Sequence, residues 1–151
     1  MIAVDLTKAY KDIPFSGSAV KHIAQFVCKK EKIIHAELSF VFVNDKTIRA
    51  INKKYLHHDY VTDVITFSFE PKAISAEIYI NTQQAKRQSK ENHVTVKNEI
   101  TRLVVHGTLH AIGYTDTTMV AQKKMNLIQE RYISELSLQE KKKEKNARKN
   151  S

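Results

Sequence analysis

The segment from His106 to Asp116 reads HGTLHAIGYTD and combines two imidazoles, a glycine and a carboxylate at fixed spacings. Because residues four apart lie on one face of an α-helix, His106 and His110 are predicted to point at the same position. Gly113 can end that helix in a left-handed conformation, and the turn that follows can bring Asp116 back toward both rings. Two neutral imidazoles and one carboxylate match a three-ligand zinc site with a fourth position open to water.

A histidine pair at this spacing is a weak signal alone, since the chain contains 7 histidines. A chance match becomes much rarer when the pair is followed by a glycine and a carboxylate at three-residue intervals, as Gly113 and Asp116 follow here. Apolar neighbours such as Val105 and Leu109 indicate a buried helix. Ring nitrogens without partners are unfavourable in such surroundings, so the pattern favours a metal site over two histidines satisfied within the core.

The spacing also equals that of the metzincin proteases, His-Glu-x-x-His-x-x-Gly-x-x-His. In zinc proteases the residue after the first histidine is the glutamate that takes a proton from the metal-bound water. Gly107 occupies that position here and has no side chain to act as a base. The segment is therefore expected to form a zincin-like metal helix without peptidase chemistry.

The composition is typical of a single globular domain, with 151 residues of which 42% are apolar. No apolar stretch approaches the about 20 residues needed to cross a bilayer, and the N-terminal sequence does not resemble a signal peptide. The only cysteine, Cys28, excludes an internal disulfide and indicates a reducing, cytoplasmic setting. The oligomeric state is not indicated.

The chain is basic, with a formal net charge of +9. Residues 139–151 hold six basic and two acidic side chains, so residues 1–138 keep a net charge of +5. A basic body indicates a polyanionic partner such as RNA or DNA, although a solubilising surface would carry the same charge. We expect one domain at 1–138 and a basic tail at 139–151, which is disordered or a fraying helix end and adds non-specific phosphate contacts.

Hydrophobic periodicity predicts strands at about 2–6, 37–43, 64–69 and 77–80, and helices at about 18–30, 82–90, 95–112 and 119–138. A further helix follows Asn44 or Asp45. It is expected to bury Ile48, Ile51 and Tyr55, and the last helix a stripe of Val120, Met125, Ile128, Tyr132 and Leu136. Strands and helices interleave without a repeat or linker. The predicted fold class is α+β, a small mixed β-sheet covered by helices, with the metal helix near the C-terminus.

Several polar residues ahead of the predicted strands are further candidates. His57 and His58 could contact substrate or assist proton transfer, or be exposed loop residues. Asp63 and Glu77 stand at strand ends, where they could line a cleft or pair with surface lysines. We retain His57, His58 and Asp63 as candidates near the substrate.

The pattern His-Gly-x-Leu-His-x-x-Gly-Tyr at residues 106–114 resembles the signature of the YbeY-type endoribonucleases, the bacterial rRNA maturation factors. Upstream, residues 52–55 and 59–67 are similar to the family's Asn-x-x-Tyr and Asp-x-x-Thr-[Asn/Asp]-Val-[Leu/Ile]-[Ser/Thr]-Phe block. Residues 76–80 resemble its Gly-[Asp/Glu]-Ile segment. The resemblance covers about residues 40–135 and agrees with the predicted order of elements.

The resemblance implies a zinc-dependent endoribonuclease, specific for single strands, that acts in 3′-end maturation of small-subunit rRNA and in ribosome quality control. His106, His110 and Asp116 would hold one zinc ion, which would polarise a phosphoryl oxygen or activate water. Lysine and arginine side chains would position the strand. Ribosomal RNA and the small ribosomal subunit are the implied partners.

Two positions depart from the family's pattern. Asp116 stands where the family usually has a third histidine, and it remains a competent zinc ligand that makes the site one charge more negative. Leu56 stands where many members have an arginine thought to serve catalysis, so the catalytic residue stays unassigned. Two alternatives remain open. A ribosome-assembly RNA-binding protein with a structural zinc site is favoured by Leu56, whereas Gly107 argues against a metallopeptidase.

Overall fold

The computed structural model describes residues 1–150. Strands and helices follow one another in the predicted order, which confirms the α+β class. The elements are β1 (Ile2–Lys8), α1 (Gly17–Lys30), β2 (Ala36–Val43), α2 (Asp45–Leu56), β3 (Val64–Ser68), β4 (Ser75–Asn81), α3 (Thr82–Glu91), α4 (Val96–Ile112) and α5 (Met119–Lys149). Across residues 1–150, none of the helices is both long and apolar enough to cross a membrane.

The four strands form one mixed sheet in the order β1-β2-β4-β3. Strands β1, β2 and β4 are parallel, and β3 pairs antiparallel with β4 at the edge. In the register, Phe40 of β2 lies between Leu6 of β1 and Ile78 of β4. Side chains alternate between the two faces of such a sheet, so β2, β3 and β4 contribute to two separate clusters, whereas the apolar residues of β1 join the larger one.

The larger cluster lies between the sheet and three helices. Phe40 and Ile78 are fully buried there against α1, α4 and α5. On the opposite face, Val43 and Ile65 pack with Ile48 of α2 in a smaller cluster. The sheet is therefore covered by helices, as predicted; they lie on both of its faces, and the main core is on the side of α4.

Helix α4 is central to the larger cluster, since it packs against α1, α3, α5 and strands β3 and β4. Gly107 permits this close approach. A Cβ atom at this position would lie 2.5 Å from Cγ2 of Ile78, which is much closer than real Cβ contacts. Thr95 caps the helix with a side chain that accepts a hydrogen bond from the N–H of Asn98. The cap at Thr95 therefore determines where α4 begins, and the missing side chain of Gly107 determines how closely α4 packs on the sheet.

Two predicted core positions are wrong. Val120 is 80% exposed, because it lies five residues before Met125 and so about 140° around the helix from the buried stripe. Gln129 is buried in that stripe instead. Tyr55 is 57% exposed, and its ring only meets Phe67 edge-on.

The basic segment continues the last helix. Helix α5 runs without a break to Lys149, where the composition predicts a disordered tail or a fraying helix end. All side chains from 139 to 150 are exposed, and the segment is joined to the rest by contacts such as the Lys97–Glu140 ion pair. The division into a domain at 1–138 and a tail at 139–151 stays a prediction.

Candidate metal centre and cleft

Helix α4 presents two imidazoles on one face in its last turns. The ring centroids of His106 and His110 are 4.7 Å apart, and the rings are nearly perpendicular. Gly113 ends the helix with a φ of 127°, a conformation that favours glycine, as predicted. The chain then turns back, so that Oδ2 of Asp116 lies 3.5 Å from Nε2 of His110. One possible ligand atom from each of these three residues lies within 4.8 Å of the other two.

The three donors fit a zinc ion in both chemistry and spacing. Tetrahedral ligands at about 2.1 Å from zinc are about 3.4 Å from one another. The separation between His110 and Asp116 already has this value. The Asp116 side chain is 48% exposed, so it has room for the small movement that would bring all three to this spacing. The predicted ligands are therefore brought together, and metal binding itself stays a prediction.

The second nitrogen of each ring is already engaged within the protein. Nδ1 of His106 lies 2.7 Å from Oε1 of Gln129, and Nδ1 of His110 lies 3.0 Å from the carbonyl oxygen of Tyr114. Each ring keeps Nε2 for a metal, which is the usual arrangement of ligating histidines. Gln129 lies on α5 and is not predictable from the sequence, because neither spacing nor composition links it to α4.

Burial lowers the pKa of His106, while its hydrogen bond with Gln129 acts in the opposite direction. Electrostatic interaction with His110 lowers this pKa further, and interaction with Asp63 and Asp116 raises it. The neutral form that results near neutral pH is the form in which histidine binds metals.

The turn that carries Asp116 is fastened to two other helices. The phenol of Tyr114 donates a hydrogen bond of 2.6 Å to Glu31, which follows α1, and this bond is the main reason that the pKa of Tyr114 rises to about 12. Tyr132 of α5 donates to the same carboxylate. The third candidate ligand therefore lies on a braced turn.

A cleft of about 610 Å³ opens beside the three residues. His58 and Asp63 line it, as does Leu56. His57 is not among its lining residues, because it ends α2 in a left-handed conformation with a φ of 59°. Of the residues considered near substrate, the structure thus brings His58 and Asp63 to the candidate centre and leaves His57 outside the cleft.

The acidic candidates differ in position. The carboxylate of Asp63 accepts a hydrogen bond of 3.3 Å from Gln88 and faces the cleft. Glu77 instead accepts one of 3.3 Å from the hydroxyl of Tyr79 and is absent from the lining. Of these two, only Asp63 adds negative charge to that of Asp116 beside the histidines.

The cleft offers aromatic surface and hydroxyl groups. The rings of His58 and Tyr60 lie 5.3 Å apart, and Tyr60 is 53% exposed. The buried hydroxyl of Thr66 has no hydrogen-bond partner among residues 1–150. No lysine or arginine of the described chain lines the cleft, so basic contacts with a nucleic acid would have to come from outside it.

The structure gives a second argument against a protease-type base at position 107. The Cβ direction at Gly107 points at Ile78 in the core. A glutamate at this position would have to enter the packed sheet before it could reach a metal-bound water. Gly107 therefore allows α4 to pack closely on β4. The glutamate that zinc proteases have at this position would not fit against Ile78.

Comparison with known proteins agrees with the fold and the motif. A family model described as Endoribonuclease YbeY matches residues 6–137. The Endoribonuclease YbeY of Endomicrobium trichonymphae is 41% identical over 106 residues, which cover 70% of this chain and 75% of that protein. That of Cytophaga hutchinsonii is 36% identical over 110 residues, covering 72% and 77%. The solution structure of TM1509 from Thermotoga maritima has the same fold, with a TM-score of 0.65 at 23% identity over 95% of this chain and 93% of that one.

Proposed function

The chain belongs to the YbeY endoribonuclease family, and on this basis we propose that it is a zinc-dependent endoribonuclease that cuts single-stranded RNA. Its proposed role is 3′-end maturation of small-subunit rRNA and ribosome quality control in the cytoplasm, with the small ribosomal subunit as partner. The observation that supports this most directly is the group of His106, His110 and Asp116 at the wall of a cleft wide enough for a nucleotide.

His106, His110 and Asp116 would hold one zinc ion. A bound zinc ion supplies Lewis-acid polarisation of a phosphoryl oxygen and lowers the pKa of a bound water. The chain supports this chemistry by holding Nδ1 of both rings away from the cleft and by keeping His106 neutral through burial.

The lining of the cleft supports the proposed selectivity for single strands. Unpaired bases can stack on exposed rings such as those of Tyr60 and His58, whereas paired bases are hidden inside a helix. Stacking on aromatic rings is tolerant of sequence, so the specificity for one rRNA position would come from the ribosomal subunit that presents the strand.

The proposal is tested with purified protein and an unstructured RNA from the precursor end of small-subunit rRNA. We expect cleavage that a chelator abolishes and added zinc restores, and no cleavage by His106→Ala. The matched control is His22→Ala, because His22 is an exposed histidine on α1. Undiminished cleavage in chelator, or by His106→Ala, would exclude this mechanism.

A second candidate function is supported by Leu56, which lines the cleft where many family members have an arginine. Without that cation the chain would bind RNA during ribosome assembly, and its zinc would be structural. The variant Leu56→Arg separates the two functions. A wild type that binds but does not cut RNA, together with cleavage by the arginine variant, would favour the binding protein.

A further inference from the structure

We propose that Gln129, oriented by Glu130 and Arg102, is a positioning residue that fixes the tautomer of His106 and aims its Nε2 at the metal. The inference rests on the proposed metal site and goes beyond the ligands themselves. None of the three residues touches the metal position directly. They form a series of hydrogen bonds that ends at Nδ1 of His106. Each hydrogen bond in the series determines the orientation of the next side chain.

The first link is a bidentate ion pair between Arg102 of α4 and Glu130 of α5. Nε and Nη2 of the guanidinium donate to the two carboxylate oxygens at 2.9 Å each. Arginine is always protonated, so its partner is held in one orientation. In keeping with this, the arginine lowers the pKa of Glu130.

The second link fixes the side-chain amide of Gln129. Its Nε2 donates a hydrogen bond of 3.2 Å to Oε2 of Glu130. An ionised carboxylate can only accept, so the NH₂ group of the amide must face Glu130. Its oxygen is then turned toward the imidazole of His106, with Oε1 at 2.7 Å from Nδ1.

The third link follows from this orientation. Because the amide oxygen can only accept, Nδ1 of His106 must carry the proton in the neutral ring. The lone pair then lies on Nε2, the nitrogen that a metal would bind. An amide that could rotate freely would allow the opposite tautomer, which presents N–H rather than a lone pair to the metal.

The same series of hydrogen bonds reaches the far wall of the cleft through Glu99, which is buried, and through partly buried side chains. Arg102 also donates from Nη1 to Glu99, a carboxylate that is 2% exposed. Gln88 of α3 donates from one nitrogen to Glu99 at 3.2 Å and to Asp63 at 3.3 Å. A buried charge such as that of Glu99 requires these partners, which makes the arrangement rigid. This series of hydrogen bonds connects Asp63 to His106 on the side of the candidate centre away from the cleft.

The test compares Gln129→Met, which removes the acceptor at similar length, with Gln129→Glu, which keeps it. Nitrogen NMR of metal-free protein reads the tautomer of each histidine, and competition with a chelating dye gives the zinc dissociation constant. We expect Gln129→Met to lose the Nδ1–H preference of His106 and to bind zinc about 10–100-fold more weakly. Gln129→Glu should retain the tautomer.

Two controls separate positioning from folding. The tautomer of His110 should not change, because its Nδ1 partner is the carbonyl of Tyr114. Gln122→Met, at an exposed site on the same helix, should alter neither measurement. If Gln129→Met does not fold, Glu130→Gln replaces it, since the Glu130 side chain is 52% exposed and its loss should still weaken the tautomer preference.

The inference is overturned if Gln129→Met or Glu130→Gln keeps His106 protonated at Nδ1 and binds zinc within about twofold of the wild type. A wild type that does not bind zinc would refute the proposed function instead. The tautomer in metal-free protein would still decide the role of Gln129, so the two failures are distinguishable.

Discussion

At the scale of single residues, Asp116 is the least constrained of the three candidate ligands. Both histidines are fixed by hydrogen bonds at Nδ1, whereas the Asp116 side chain is half exposed on a turn. We expect Asp116→Ala to weaken zinc binding by at least about 100-fold, more than the loss of a supporting hydrogen bond, with little change in stability. Asp116→His should restore zinc binding. Equal zinc affinity of Asp116→Ala and wild type in a dye competition would remove Asp116 from the site.

The buried imidazole of His106 predicts a pH dependence of stability. Its pKa in the folded protein lies below the ordinary value of 6.5, so the unfolded chain binds more protons between these two values. The stability that neutral His106 contributes is present above about pH 6.5 and is lost as the pH falls through the folded pKa. Melting temperatures of metal-free wild type and His106→Gln are compared from about pH 7.5 down to about 5. The wild type should lose stability relative to the variant, and parallel curves would contradict this expectation.

Gly107 illustrates two opposed effects of one methyl group. Alanine is favoured over glycine within a helix by about 1 kcal/mol, but overpacking of a core costs about 1–3 kcal/mol. With Cγ2 of Ile78 at 2.5 Å from the new Cβ, we expect the steric effect to dominate. Gly107→Ala should therefore lose up to about 2 kcal/mol in urea unfolding. In the control Gly17→Ala the new Cβ has ordinary contacts, at 3.7 Å from Leu6, so a similar loss there would refute the steric explanation.

At the scale of elements, helix α5 has two distinct parts. Its first half packs with Met125 and Tyr132 and supplies Gln129 to the candidate centre. Its second half lies beyond the family match, which ends at residue 137, and is exposed from 139 to 150. The cleft has no basic lining among the described residues, and the extension carries basic side chains near the start of α4, away from the cleft, so we expect it to add phosphate contacts outside the cleft.

Removal of residues 139–151 should therefore weaken RNA binding without unfolding the protein. The segment carries six lysines and arginines, and its ion pair between Lys97 and Glu140 is exposed and contributes little. For single-stranded RNA, the salt dependence of log affinity should fall by about 0.7 for each phosphate that the shortened protein no longer neutralises. A full-length variant with Lys141, Lys142, Lys143 and Lys145 changed to glutamine is the matched control. An unchanged salt slope in both proteins would assign the extension another role.

The helices and strands were largely predictable from the sequence, because the hydrophobic period and the capping residues of an element lie within its own stretch of chain. The three donors at residues 106–116 follow from helix geometry and one glycine, so they too could be derived from spacing. Gln129 and Glu31 could not, since they reach the centre from other elements through packing, and Arg102 acts only through its pairing with Glu130 of α5. The prediction for Val120 was wrong because apolar character alone does not show that it lies about 140° around the helix from Met125, and the buried Gln129 was missed because its polar side chain is satisfied by His106.

At the scale of the whole molecule, we expect the fold to be independent of the candidate metal centre. The larger cluster of apolar side chains unites the sheet with α1, α4 and α5 without any need for a metal ion. All three lie within one short segment, so a metal would close only a small loop of chain. The turn is already braced through Tyr114 and Glu31.

This separation predicts that metal-free protein stays folded. In chelator, circular dichroism should show a cooperative thermal transition, because the apolar core drives folding. A ligand that binds only the native state at about 100 times its dissociation constant adds about 2.7 kcal/mol, so zinc should raise the melting temperature by roughly 5–10 °C. Asp116→Ala should show the same metal-free transition without this rise. Loss of helical signal in chelator would instead mean that the zinc is structural, and the RNA-binding alternative would then be the better account of the chain.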